Sequence, residues 1–318
     1  MMRVSTYGSY QTALLDLMSA QARGEEANRR VSTQKNATDL VGFGRQSETL
    51  TALKSSQARI QGFMDVGQAV LARLDAQDLF MGRLAEGVQG ARQEIANALG
   101  AGRVETLMSA LETQYQSARE GLNGKHQGLY LFAGGRVDQA PLQAANLTEL
   151  AAAATPFGND QIRQTSRIDE STTIQTGFLA SDLGGRGLNV MAQIQRYQQG
   201  LPAVIDGQTF TPASADTIAG KPSAEVEAFL KAAMAELDRA FAEITDQTAI
   251  NGGMQNQVER SIAAQDNQRI ALEELVGSKT DADMAKAITD LQMAQVAIQA
   301  SAQVISQLRQ TSLLDYLR

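Results

Sequence analysis

The chain has 318 residues, a net charge of −7, no Cys, no Trp and 5% aromatic residues. That length holds two or three domains with a sizeable core; the acidic balance gives a nucleic-acid partner little electrostatic support, and the lack of Cys excludes disulfides, thiolate metal sites and cysteine nucleophiles. The start, MMRVSTYGSYQTALLDL, has one Arg and neither a long apolar run nor a small-residue cleavage site, so it does not read as a Sec signal, and no segment has the length and apolarity of a membrane span.

Residues 1 to about 30 read as a short helix, with Tyr7, Tyr10, Leu14, Leu17 and Gln21 on one seam and Ala13, Ala20 and Ala27 beside it. Residues 32–45 mix Ser, Thr, Asn and Gly without period and form a connector. Helical period returns near Ser47 and holds through Ile60, Met64, Leu71, Leu74, Met81, Leu84, Val88, Ile95 and Leu99, with Gly67 and Asp78 as interruptions. At 1.5 Å per residue this predicts a rod of roughly 80 Å. After a turn at Gly100–Gly102, Val104, Leu107, Leu111, Tyr115, Ala118, Leu122 and Leu129 predict a second helix, antiparallel to the first.

The character changes after residues 129–135. All five Pro lie between about residues 136 and 222. Ile162–Ile168 and Thr172–Phe178 alternate as strands, Val204–Phe210 is a hairpin with Asp-Gly at its turn, and a short helix is expected at Leu188–Gln198. The run Ala151–Ala154 fits no element. This block reads as a β-rich insertion at the tip of a long hairpin, facing outward and replaceable by a short linker.

Pro222–Ser223 opens a further helix with seam residues Val226, Leu230, Ala233, Leu237, Phe241 and Ile244, weakened at 248–253 and resumed by Val258, Ile262, Leu272 and Val276. A last helix begins near Asp281. From Leu291 to Leu308 it carries no charge, yet contains five Gln. Met284, Ile288, Leu291, Ile298, Ala302 and Ile305 form an apolar row, and Gln292, Gln295, Gln299, Gln303 and Gln307 form a second. An ordinary surface helix carries Lys and Glu outside; this one is built to be surrounded. The fold expected is mainly α: terminal coiled-coil helices at 1–31 and 281–318, a helical rod of antiparallel helices at 32–135 and 223–280, and the β-rich insertion at 136–222.

Little chemistry is encoded. The single His, His126, reads as an exposed helical residue rather than a base or ligand. Asp281 and Asp283 sit at a helix start, where carboxylates complement the helix dipole. Glu25–Glu26 and Glu273–Glu274 are adjacent pairs that point apart. Gly134–Gly135 and Gly184–Gly185–Arg186–Gly187 lack a phosphate-loop context and read as turns. No catalytic, cofactor-binding or metal site is expected. Two thin terminal helices make too small a core to stand alone, so their Leu and Ile are expected to be buried between molecules. The Gln row is a candidate lining for a water-filled channel, or a set of hydrogen-bonding groups between buried helices.

The ends resemble the flagellin and hook-associated family. MRVST at 2–6 is similar to the family start, Ser32–Thr33 with Lys35 to its Ser-Thr-Gly-Lys connector, Asp283–Met284–Ala285 with Ala287 to its Asp-Met-Ala-x-Ala segment, and SLLDYLR at 312–318 to its terminal Leu-Leu-x-x-Leu. GLYLFAGG at 128–135, Asn123 and Gly177–Phe178 resemble the hook–filament junction branch more than flagellin itself. In this chain Gln34 replaces the connector Gly, Asp39 stands without its Pro, and Asp65 occupies the place of an Asn in the first long helix.

The resemblance implies a non-enzymatic, extracellular subunit joining hook to filament and exported unfolded by the flagellar type III route. It implies a homo-oligomeric ring, contact with the neighbouring hook-associated junction protein and with flagellin, and an export chaperone on the C-terminal helix. Leu14, Leu17, Met284, Ile288, Leu291, Ile298, Ile305, Leu308, Leu313, Leu314 and Leu317 are the expected assembly interface, and Gln292, Gln299 and Gln303 the expected channel lining. The alternatives are a flagellin-like filament subunit, or a carbohydrate-binding or enzymatic module in the insertion.

Overall fold

The computed structural model describes residues 2–214 and 217–314. The fold is mainly α. Among the described residues the helices are α1 (Met2–Thr33), α2 (Ser47–Ala101), α3 (Leu107–Leu122), α4 (Leu147–Ala152), α5 (Ala180–Gln198), α6 (Ala224–Thr280) and α7 (Met284–Leu314). Three antiparallel strand pairs accompany them: β1–β2 (Lys125–His126, Leu129–Tyr130), β3–β4 (Thr165–Arg167, Thr173–Gln175) and β5–β6 (Ala203–Ile205, Gln208–Phe210). The chain divides into two compact units. One is Met1–Arg59 with Asn267–Arg318, and the other is Ile60–Asp266.

In the Ile60–Asp266 unit, α2 and α6 run antiparallel: Gly67 lies against Ile262, the Asn251 amide donates to the Leu74 carbonyl (2.9 Å), and Arg92 pairs with Asp238 (3.0 Å). The seam of α2 has no interruption. Its buried line is Met64, Gly67, Val70, Leu74, Gln77, Met81 and Leu84, so Gln77 rather than Asp78 points inward. The α6 seam likewise continues through 248–253, where Asn251 is fully buried. These positions look like breaks in a hydrophobic pattern because the inward residue is an amide. Each amide is used: Gln77 donates to Thr176 (3.1 Å) and Gln265 to Ile168 (2.6 Å), pinning the β3–β4 hairpin to the helix pair beside Val70, Leu74, Ile174 and Val258.

The two hairpins at β3–β4 and β5–β6 form where alternation places them, and Asp206–Gly207 turn with φ of 49° and 74°, the left-handed pair that a two-residue hairpin loop requires. Ser223 caps α6 by accepting from Val226 N. Three expectations fail. The Ala151–Ala154 run starts inside α4, capped by Asn146 accepting from Glu149 N. Gly184 and Gly187 are not turn residues. They lie inside α5, where a Cβ would fall 2.6 Å from Leu122 and 2.9 Å from Val88, so glycine lets α5 approach α3 and α2.

The third failure concerns the insertion, which carries two of the three described strand pairs together with α4 and α5 but is not peripheral. Leu142, Leu147, Leu150, Phe178, Met191, Ile194 and Tyr197 join Leu84, Leu111, Tyr115 and Phe229 in a single core cluster. Tyr197 stacks on Phe229 at 4.1 Å. Deleting residues 140–218 would strip one side of that core.

Candidate assembly surface

In the unit formed by Met1–Arg59 and Asn267–Arg318, α1 and α7 pack antiparallel. Gly24 faces Ala294 and Ile298, whose nearest atoms would lie 3.5 and 3.6 Å from an added Cβ. The contacting line of α1 is Ala13, Leu17, Ala20, Gly24, Ala27 and Val31, and that of α7 is Ala287, Leu291, Ala294, Ile298, Ser301, Ile305 and Leu308. Both keep alternating three- and four-residue steps, the spacing of a coiled-coil seam. The fully buried positions, Ala13, Ala20, Gly24, Ala27, Ala287 and Ala294, are all alanine or glycine.

Large apolar side chains lie outside. Leu15 is 65% exposed, Met18 58%, Met293 66% and Val296 65%, with Leu14, Ile288 and Val304 also exposed. Hence of the residues expected at an interface, Leu17, Met284, Leu291, Ile298, Ile305 and Leu308 are half-buried, while Leu14 and Ile288 face solvent. Of the expected row, Leu291, Ile298 and Ile305 meet α1, whereas Ile288 and Ala302 are exposed; Ala287, Ala294 and Ser301 complete the seam. Ile288 and Leu14 stand outside because close approach of the two helices places alanine, at Ala287 and Ala13, where the seam is tightest. The side chains of Leu313 and Leu314, and all of Leu317, lie outside the described residues.

Gln292, Gln295, Gln299 and Gln303 are exposed on one side of α7; Val296 lies in the same row, beside Gln292 and Gln303, while Met293 and Val304 stand further round the helix. No residue between Leu291 and Leu308 carries a charge.

The junction of the two helices is closed by a short antiparallel bridge. Asn36 N donates to Thr280 O (2.8 Å), Ala282 N donates to Gln34 O (3.0 Å), and Lys35 Nζ meets Asp281 Oδ1 at 2.5 Å. The Lys35 ammonium and the Thr280 hydroxyl hold the Asp281 carboxyl below its usual range. Gln34, in the place of the connector Gly, has φ of 57°, the left-handed conformation glycine adopts without strain. Asp283 accepts from Lys286 N (3.1 Å) and caps α7. So the Asp281–Asp283 pair splits into a clasp and a cap.

Groups that could carry chemistry are otherwise engaged. His126 lies in β1, not on a helix. Glu26 is held below its usual pKa first by Arg29, with Arg30 assisting. An open cleft of about 490 Å³ in the other unit is lined by Asp182, Arg186, Asp206, Glu236 and Glu243, among others, and by no aromatic residue. Each of its carboxylates is paired: Glu236 with Arg186 and Arg239, Glu243 with Arg186, Asp206 with Arg239, and Asp182 with Arg163. Among the described residues no cluster of His, Asp and Glu has the geometry of a metal site, and no helix is long and apolar enough to cross a membrane.

Residues 234–317 match the family model of the bacterial flagellin C-terminal helical region. Of the α1–α7 pair, α7 lies within the matched segment. A protein of Vibrio parahaemolyticus described as a flagellar hook-associated protein superposes with a TM-score of 0.59 at 17% identity, over 76% of this chain and 99% of that one. FlgL of Bacillus cereus superposes with a TM-score of 0.46 at 13% identity, over 67% of this chain and 98% of that one. At these identities the first match speaks for the fold. No curated protein matches the chain by sequence.

Proposed function

We propose that the chain is a non-enzymatic structural subunit of the bacterial flagellum, a hook-associated protein at the hook–filament junction. In this reading the α1–α7 pairs of several copies pack side by side into a ring. One end of the ring meets the neighbouring hook-associated junction protein and the other meets flagellin. The chain reaches the cell exterior unfolded by the type III route, with a chaperone covering α7 before assembly.

The observation that carries the reading is the inverted α1–α7 pair: alanine and glycine inside, Leu15, Met18, Met293 and Val296 outside. Leu15 and Met18 lie on the side of α1 turned away from α7, and Met293 and Val296 on the outer side of α7; burying one such side chain contributes about 1.5–3 kcal/mol. Met293→Asp with Val296→Asp should abolish incorporation into flagella and leave the helical signal of the Ile60–Asp266 unit intact. Ile298→Asp and Ile305→Asp should also block incorporation, by splitting the seam. Normal attachment of the Met293/Val296 variant would sink the proposal.

Within that ring, Gln292, Gln299 and Gln303 line the central channel. A neutral, hydrated face neither traps charged segments of passing chains nor binds their apolar side chains. Gln299→Glu with Gln303→Glu should assemble and alter passage of later subunits. Failure to enter the ring would place these residues between helices instead, where an unpaired charge is costly.

A further inference from the structure

Between residues 8 and 22 of α1, and between 291 and 309 of α7, the paired helices carry two charges: Asp16 and Arg309. Both are exposed, and neither has an ion-pair partner among the described residues. The contact of Gly24 with Ala294 and Ile298 fixes the antiparallel register. Stepping back from it sets Asp16 level with residues near 304, and Arg309 within roughly 10 Å of that level along the axis.

Their azimuth is informative too. Counted at about 100° per residue from the buried Ala13–Ala20–Gly24 line, Asp16 lies roughly 50° to one side of the seam and Leu14 roughly 110° to the other. On α7, Arg309 lies roughly 50° from the Ala287–Ala294 line, on the same side as Leu14. The helix pair therefore carries Asp16 and Arg309 on opposite flanks at nearly the same height, with Arg23 about 10 Å along the Asp16 flank.

We infer that the occupant of this surface is a second copy of the chain, packed front to back, with Asp16 of one copy paired to Arg309 of the next. The inference rests on the assembly reading above. An acid and a base on opposite flanks suit a heterologous contact, in which unlike surfaces meet and the contact repeats from copy to copy. A face-to-face contact related by a two-fold axis would put Asp16 near Asp16, or Arg309 near Arg309. On an otherwise neutral apolar interface a single acid–base pair adds little bulk affinity but selects register, because any other alignment encloses a charge without a partner.

The test is charge reversal in the full-length chain, followed by sedimentation velocity over a concentration series. Asp16→Arg and Arg309→Asp should each weaken self-association by on the order of tenfold or more, and the double variant should recover it. Because the chain lacks Cys, Asp16→Cys and Arg309→Cys can be mixed and oxidised, and 16–309 cross-links should dominate over 16–16 and 309–309. Association that is unchanged by either reversal, or a double variant as weak as the singles, overturns the pair; so do predominant like-with-like cross-links. Met293→Asp separates the levels. If it abolishes association while the reversals do nothing, only the ion pair falls. If it too does nothing, or the unaltered chain stays monomeric throughout, the apolar face is not a contact between copies and both readings fall.

Discussion

Gln34 and Tyr115 show how single residues set local energetics. Gln34 holds φ of 57° while its carbonyl accepts from Ala282 N, so the clasp imposes a left-handed residue that is not glycine. A side chain there costs about 1–2 kcal/mol, partly offset by the greater freedom glycine would have in the unfolded chain. Gln34→Gly should therefore stabilise the clasp by several tenths to about 1 kcal/mol, read as slower amide exchange at Asn36 and Ala282. Tyr115 is fully buried and its hydroxyl donates to the Ala144 carbonyl at 2.7 Å. Burial pushes its pKa up to about 12. The unfolded phenol titrates near 10, so the folded state holds its proton longer. Stability from this group is complete below pH about 10 and is lost as pH rises towards 12. Urea midpoints should fall over that interval, with a shallower slope in Tyr115→Phe, which should itself lose about 1–3 kcal/mol through the orphaned Ala144 carbonyl.

Elements are distinguished by how closely their backbones approach. A Cβ on Gly121 would lie 2.7 Å from the Leu84 nitrogen, and one on Gly87 2.7 Å from Gln114 O. Both are backbone contacts with no room to yield. Gly121→Ala should cost about 1–3 kcal/mol of α2–α3 packing. Gly24→Ala should do the reverse, since its new methyl would sit at ordinary contact distance, 3.5 Å from Ala294, and alanine favours the helix by about 1 kcal/mol. Thermal melts of the two variants should move in opposite directions. Such pairs also mark what was legible in the sequence. The long helices, both Asp-Gly-type and alternating hairpins, and the Ser223 cap could be read because each has a local cause. The inward roles of Gln77 and Asn251 could not, because a buried amide is justified only by the carbonyl across from it, at Thr176 and Leu74. The glycines of α5 are not turns for the same reason: they answer to Leu122 and Val88, not to their neighbours in sequence. At the candidate surface the uncharged end helices were visible, but their direction was not. Hydrophobicity ranks Leu14 and Ile288 above Ala13 and Ala287, whereas close helix approach selects the alanines.

At the scale of the whole molecule the two units are held by unequal means. The Ile60–Asp266 unit buries Tyr115, Tyr197, Phe132, Phe229, Leu74 and Met81. The other buries Ala13, Ala20, Ala27, Ala37, Leu50, Ala287 and Ala294. A buried methyl contributes about 0.8 kcal/mol, a buried Leu or Phe about 1.5–3. Fixing each residue costs about 1–2 kcal/mol of backbone entropy. The α1–α7 pair should therefore be marginal in the isolated chain and gain its order from association. Hydrogen exchange on dilute protein should show low opening free energies across residues 8–33 and 284–309, and near-global protection across 74–122 and 226–258. Raising the concentration should protect the end helices alone, following the binding relation RT ln(1 + [L]/Kd), or about 2.7 kcal/mol at a hundred times Kd. Met293→Asp with Val296→Asp should remove that concentration dependence and leave the other unit unchanged. End-helix amides that are as protected as the core in dilute monomer, and indifferent to concentration, would show that the small-residue seam is sufficient by itself and that the outer apolar face plays no part in ordering it.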